Sequence, residues 1–202
     1  SLDTKPKKRI NIVSAFRIEV GIIRDSAAFI GAVHKRIKGI LLTPLLWASV
    51  VLVILGCIFF AGTFASVYTN KSNFEILGSS VVGFFFYYFV PLLPVIALHE
   101  VSHGLALVHY GGSPGEIGTG LLYFGPFFYI DAADAWTLKR RQRIIIYMAG
   151  NLATLLVGSG IVLVNTLWSL SPSVSHFLLM TAFFCYYMTR WNMIPTFDSD
   201  GY

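Results

Sequence analysis

His99, Glu100 and His103 stand in the order His-Glu-x-x-His. On a helix, residues four apart share a face, so two imidazoles at this spacing can grip one ion while Glu100 sits a step round beside them. The chemistry such spacing serves is zinc-assisted hydrolysis. Two neutral histidine nitrogens and a third ligand hold Zn2+, and a water in the open position is acidified to a pKa of about 7. Glu100 is placed to take that proton as general base. Three fixed residues recur by chance, so the motif alone is a moderate signal, and its setting strengthens it. Residues 79–98 carry no charge, and ionisable groups at membrane depth are costly and mark function by default. The competing reading is a buried hydrogen-bonded cluster or a decayed site.

Two histidines need a third ligand, and the acids and histidines elsewhere are the candidates. The strongest lie in the run Asn192-Met193-Ile194-Pro195-Thr196-Phe197-Asp198-Ser199-Asp200-Gly201, directly after an apolar stretch. An ordinary turn uses the same residue types, because Pro, Asp and Gly commonly end helices. His109 and Asp131 come next. Asp131 and Asp134 close a Gly-rich stretch and precede Lys139, Arg140, Arg141 and Arg143, which reads as a cap and a solvated face rather than catalytic machinery.

These residues must be carried by membrane helices. The chain is 55% hydrophobic and 12% charged with a mean hydropathy of +0.69, far from the roughly 25% charge of soluble domains. The net charge of +5 comes from 15 Lys+Arg against 10 Asp+Glu, and nine of those cations precede residue 39. The charge is therefore a juxtamembrane feature, with membrane lipid as the partner and no motif for nucleic acid. Cys57 and Cys185 sit in apolar runs without a partner at zinc or redox spacing, so they read as core hydrophobes. The chain opens without Met and stops at Gly201-Tyr202 inside a candidate motif, so a fragment of a longer protein is expected.

The expected fold class is an all-α polytopic membrane protein of about four transmembrane helices. Residues 1–39 form a basic cytosolic segment that either lies amphipathically on an anionic leaflet or is a solvated tail. Residues 40–75 hold span one, about 40–67, and a short polar loop. Residues 76–202 hold the core. Span two is expected over about 76–109, with Pro91 and Pro94 able to kink it before His99. A Gly-rich hairpin or re-entrant loop follows over 110–136, tolerable at depth only if protein or water satisfies its backbone. Span three is expected over about 144–167 and span four over about 174–194. The cation distribution puts the amino terminus, the loop after His-Glu-x-x-His and the carboxyl end in the cytosol. The basic region before span one is too long to be expected as part of a cleavable signal peptide, and no internal repeat or low-complexity stretch is read in the sequence.

With both halves of the pattern in view, the chain resembles the site-2 protease family of intramembrane zinc metalloproteases. Its signatures are His-Glu-x-x-His on one membrane helix and, on a later one, Asn-x-x-Pro followed by Asp-Gly. His99, Glu100 and His103 match the first; Asn192, Pro195, Asp200 and Gly201 match the second. The Gly-rich stretch ending Tyr129-Ile130-Asp131 is similar to the bacterial peptide zinc metalloprotease branch, and the likeness covers about residues 78–202. The resemblance implies a three-helix core with span one peripheral, Zn2+ held by His99, His103 and Asp200, and Glu100 as base. It also implies that Asn192 orients the substrate or polarises its carbonyl, as amides do in oxyanion holes; the plain alternative is an interhelical hydrogen bond. One departure stands out. Where many members have Ala-Gly-Pro-x-x-Asn in the middle helix, this chain has Ala149-Gly150-Asn151-Leu152-Ala153-Thr154, with Asn151 and Thr154 at the Pro and Asn positions.

The expected function is therefore an intramembrane zinc metalloendopeptidase in a bacterial cell membrane, cutting membrane-embedded or membrane-associated peptides. The Gly-rich hairpin would offer an edge strand to hold an unwound substrate extended. The alternative is a non-proteolytic export or anchoring component that keeps the fold. A soluble zinc peptidase merely tethered to a membrane fails on the lack of any sizeable polar domain. Oligomeric state and substrate identity have no signature in the chain.

Overall fold

A computed structural model describes residues 17–23, 26–41, 45–68, 89–122 and 125–194. In chain order they form strand β1 (Arg17–Ile23), helices α1 (Ser26–Leu41), α2 (Leu45–Tyr68) and α3 (Leu92–His109), strands β2 (Ile117–Leu122) and β3 (Gly125–Ile130), a 3-10 turn (Ala133–Thr137), and helices α4 (Arg140–Leu167) and α5 (Pro172–Asn192).

The chain is mostly helical but not all-α. The strands form one antiparallel sheet in the order β1-β2-β3. The Gly-rich stretch supplies β2 and β3, paired from Ile117↔Ile130 to Leu122↔Gly125. The third strand comes from the basic amino-terminal segment, which was expected as a leaflet-bound or solvated tail. Arg17-Ile18-Glu19-Val20-Gly21-Ile22 alternates polar or small with apolar residues at the period of a strand, and β1 pairs with β2 from Arg17↔Leu122 to Ile23↔Ile117 across a register shift. Behind it, α1 buries Ser26, Ile30 and His34, spaced four apart on one face. The Ser26 hydroxyl ties the helix start to the carbonyls of Pro114, at 3.2 Å, and Gly115.

Among the described residues two helices, α3 and α4, are long and apolar enough to cross a membrane; the expected spans three and four overlie α4 and α5. The described part of span two begins only at Leu92, with residues 76–88 of the expected span outside the described residues. Pro91 caps that helix and Pro94 lies in its first turn. First-turn amides have no intrahelical acceptor, so a missing N–H costs nothing there; the expected kink falls where the preceding part of the span lies outside the described residues. At the other end Gly111, at φ +87°, adopts the left-handed conformation that glycine takes without strain. The Gly112 N–H then reaches the Leu107 carbonyl at 3.0 Å and the Gly111 N–H reaches that of Val108 at 3.1 Å, which satisfies the last helical acceptors and stops α3.

α4 is the central element, packed against α2, α3 and α5. Small residues permit the close approach: a β-carbon on Gly56 of α2 would lie 2.3 Å from Ser159 Cβ. α2 uses one side for this contact and leaves Val51, Ile54 and Ile58 exposed. Leu107, Ala135 and Ile146 form one buried cluster where α3, the 3-10 turn and α4 meet, and Val162, Leu179 and Ala182 another where α4 meets α5.

Candidate active site

His99 and His103, each 4% exposed, are buried on the side of α3 that meets α4. Their rings lie at 82° with centroids 4.8 Å apart. His103 Nδ1 is 2.7 Å from the Ile146 carbonyl oxygen. A carbonyl only accepts, so this nitrogen carries the proton and the lone pair is on Nε2. His99 Nδ1 is 2.9 Å from Thr154 Oγ1, and the Thr154 hydroxyl donates in turn to the Gly150 carbonyl at 3.1 Å. The hydroxyl proton is thus spent, and Oγ1 accepts from His99 Nδ1–H. Both imidazoles end with lone pairs on Nε2.

Those two atoms converge over Gly150. A β-carbon there would lie 2.4 Å from His103 Nε2 and 2.7 Å from His99 Nε2, so the missing side chain is what leaves room between them. Glu100, half-buried, accepts the Ile130 N–H at 3.2 Å, which ties the end of β3 to the residue between the histidines. Ile130 also lies over Gly104, one position past His103. From α5, Asn192 Nδ2 comes within 3.5 Å of His99 Nε2. Asn151, beside Gly150 and 2% exposed, has an Oδ1 that meets no donor among the described residues, an arrangement that costs free energy when buried.

Of the residues singled out in the sequence, the structure therefore brings His99, Glu100, His103 and Asn192 to one place. Asp200, with Pro195, Asp198 and Gly201, lies outside the described residues. Among the described residues no three His, Cys, Asp or Glu side chains form a group that could hold a metal. The reserve candidates are engaged elsewhere. His109 Nδ1 is 3.4 Å from His34 Nε2 of α1; burial first, then the neighbouring His109 and the Lys38 ammonium, hold the His34 pKa below its usual value. Asp131 accepts the Ala133 N–H at 2.9 Å, a local turn contact, and Asp134 accepts that of Ser113 at 2.9 Å; neither is the expected helix cap, since the 3-10 turn has Ala132 at its cap position and no side-chain cap.

The two histidines fit a zinc ion. Neutral imidazoles with Nδ1–H held by a second acceptor and Nε2 directed into one space are the ligand form Zn2+ takes. The parts that sequence reasoning missed are those acceptors. The Ile146 carbonyl has no sequence signature, whereas Gly150 and Thr154, four apart on one face, could have been found as a glycine opposite an imidazole with a hydroxyl one turn on.

The chain is 31% identical over 109 residues to the "Putative peptide zinc metalloprotease protein YydH" of Bacillus subtilis (strain 168), an alignment covering 53% of this chain and 41% of that protein. The chain thus spans well under half the length of that relative. No family model and no solved structure matches it. By this alignment the chain is a distant, partial homologue of a protein named as a zinc metalloprotease.

Proposed function

We propose that the chain carries the catalytic core of a zinc-dependent endopeptidase that cuts peptides within or at the membrane. His99 and His103 would hold the ion through Nε2 with Asp200 as third ligand, Glu100 would be the general base, and Asn192 would orient the substrate carbonyl. The observation that carries this reading is the pair of imidazoles with both Nδ1 protons committed and both Nε2 atoms converging over Gly150. When bound, zinc supplies Lewis acidity that polarises a carbonyl and lowers the pKa of a water. Glu100 would take the proton from the attacking water and return it to the leaving amine. Its carboxylate is aimed by the Ile130 N–H, at the end of an edge strand able to hold an unwound peptide extended beside the base.

Depth supports an intramembrane site. The Arg143 guanidinium stacks 4.8 Å over Trp136, at the basic end of α4, and the exposed Trp168 marks the other end, as interfacial aromatics do. Gly150 then lies about 10 Å inward from Arg143 at 1.5 Å per residue. In a background lacking Cys57 and Cys185, a cysteine within residues 169–175 is expected to label from outside the cell and one near Lys139 is not. The reverse pattern would invert the topology.

The zinc reading is tested by metal content. One zinc per chain is expected to survive dialysis against a mild chelator in wild type and in Asp198→Ala, and to be lost in Asp200→Ala. Loss in Asp198→Ala alone would exchange the two acids, and retention in both would move the third ligand elsewhere. Purified wild type without zinc would sink the reading.

A further inference from the structure

We propose that Thr154 is a positioning residue that sets the tautomer of His99, holding its proton on Nδ1 so that the Nε2 lone pair faces the space over Gly150. The functional sense of this inference rests on the zinc reading above; the tautomer itself does not.

The two histidines are held by different means. His103 is fixed by a main-chain carbonyl, that of Ile146, which any sequence would offer. His99 is fixed by a side chain. Thr154 is 1% exposed, so bulk water cannot substitute for its hydroxyl. The direction of the hydrogen bonds follows from their end point: the Gly150 carbonyl only accepts, the Thr154 hydroxyl therefore donates to it, and Oγ1 has only lone pairs left for His99. The contact with Asn192 points the same way from another helix. An amide N–H at 3.5 Å from Nε2 meets a lone pair favourably and an N–H unfavourably. Two contacts, from α4 and from α5, thus select one tautomer, and it is the one that can bind metal through Nε2.

Valine has the shape of threonine without the hydroxyl. Thr154→Val would leave His99 Nδ1–H buried without this acceptor, and the ring would relieve that by moving its proton to Nε2, the form that cannot ligate through Nε2. Thr154→Ser keeps the hydroxyl and should keep the tautomer.

The experiment is 15N spectroscopy of the histidine side chains in metal-free protein, at a pH where the imidazoles are neutral, combined with zinc affinity by chelator competition. Wild type is expected to show His99 protonated on Nδ1. Thr154→Val should shift that population toward Nε2–H and weaken zinc binding about 10 to 100-fold, the usual cost of losing such a partner; Thr154→Ser should restore both. His103 should stay protonated on Nδ1 in all three proteins, which separates a local effect from general loosening. A wild-type His99 protonated on Nε2, or a valine variant with unchanged tautomer, would overturn the proposal, as would a folded serine variant that behaves like valine. If the tautomer responds as expected while wild type binds no zinc, the positioning role stands and the zinc reading falls.

Discussion

Glu100→Gln is expected to keep zinc and to lose cleavage of a membrane-embedded reporter by at least about 10^2 to 10^4-fold, the contribution of a positioned general base. The substitution isolates basicity. Glutamine has the size of glutamate and keeps a carbonyl oxygen that can accept the Ile130 N–H, now 3.2 Å from Glu100 Oε2. The join between α3 and β3 therefore survives. The side chain is not among the proposed ligands, so the metal should be unaffected. What disappears is the lone pair basic enough to take a proton from water, because a neutral amide oxygen has no such affinity. Glu100→Ala makes a useful contrast. It deletes the acceptor as well as the base and strands the Ile130 N–H at the end of the sheet, so some loss of stability should accompany the loss of activity. Continued cleavage by the glutamine variant at the wild-type rate would remove Glu100 from the mechanism. Loss of zinc from that variant would make Glu100 a metal ligand and require the roles around it to be redrawn.

The contrast between base and scaffold shows what was legible in the sequence. His99, Glu100 and His103 announce themselves because side-chain chemistry at helical spacing is written in residue types. The apolar runs that became α2, α4 and α5 are legible because a run of such length has few other uses. β1 was hidden by its company: Arg17-Ile18-Glu19-Val20 alternates as a strand does, yet it lies among nine cations, and charge density suggested a surface tail. Its partner is also remote, since pairing with residues 117–122 is set by tertiary contacts that no local pattern encodes. Pro91 and Pro94 were visible, but whether a proline kinks a helix or opens it depends on where the helix starts. The groups that orient the histidines were the least legible. The Ile146 carbonyl belongs to every residue type, and Thr154 stood out only as a departure from Asn in a resembling family, with its purpose unread until His99 was seen beside it.

Gly150→Ala is expected to abolish zinc binding, with at least about a 100-fold loss of affinity, beyond the upper range for losing a single supporting contact, while the helices stay folded. The added methyl would start 2.4 Å from His103 Nε2 and 2.7 Å from His99 Nε2, inside van der Waals contact with both metal-facing atoms. The rings cannot simply swing aside. Each is held on its far nitrogen, His103 by the Ile146 carbonyl and His99 by Thr154, so making room means breaking one of those bonds and re-aiming a lone pair. The helix itself gains from the change, because alanine is favoured over glycine in a helix interior by about 1 kcal/mol. A loss of zinc therefore cannot be blamed on a weakened α4. Gly160→Ala is the control: it lies on the same helix, a β-carbon there meets nothing within 4 Å among the described residues, and it should raise thermal stability slightly with zinc binding intact. Circular dichroism and chelator competition on both variants decide the matter. Wild-type zinc affinity in folded Gly150→Ala would mean that the two Nε2 atoms do not meet over this glycine when the ion is held, and the proposed centre would have to be moved along α3.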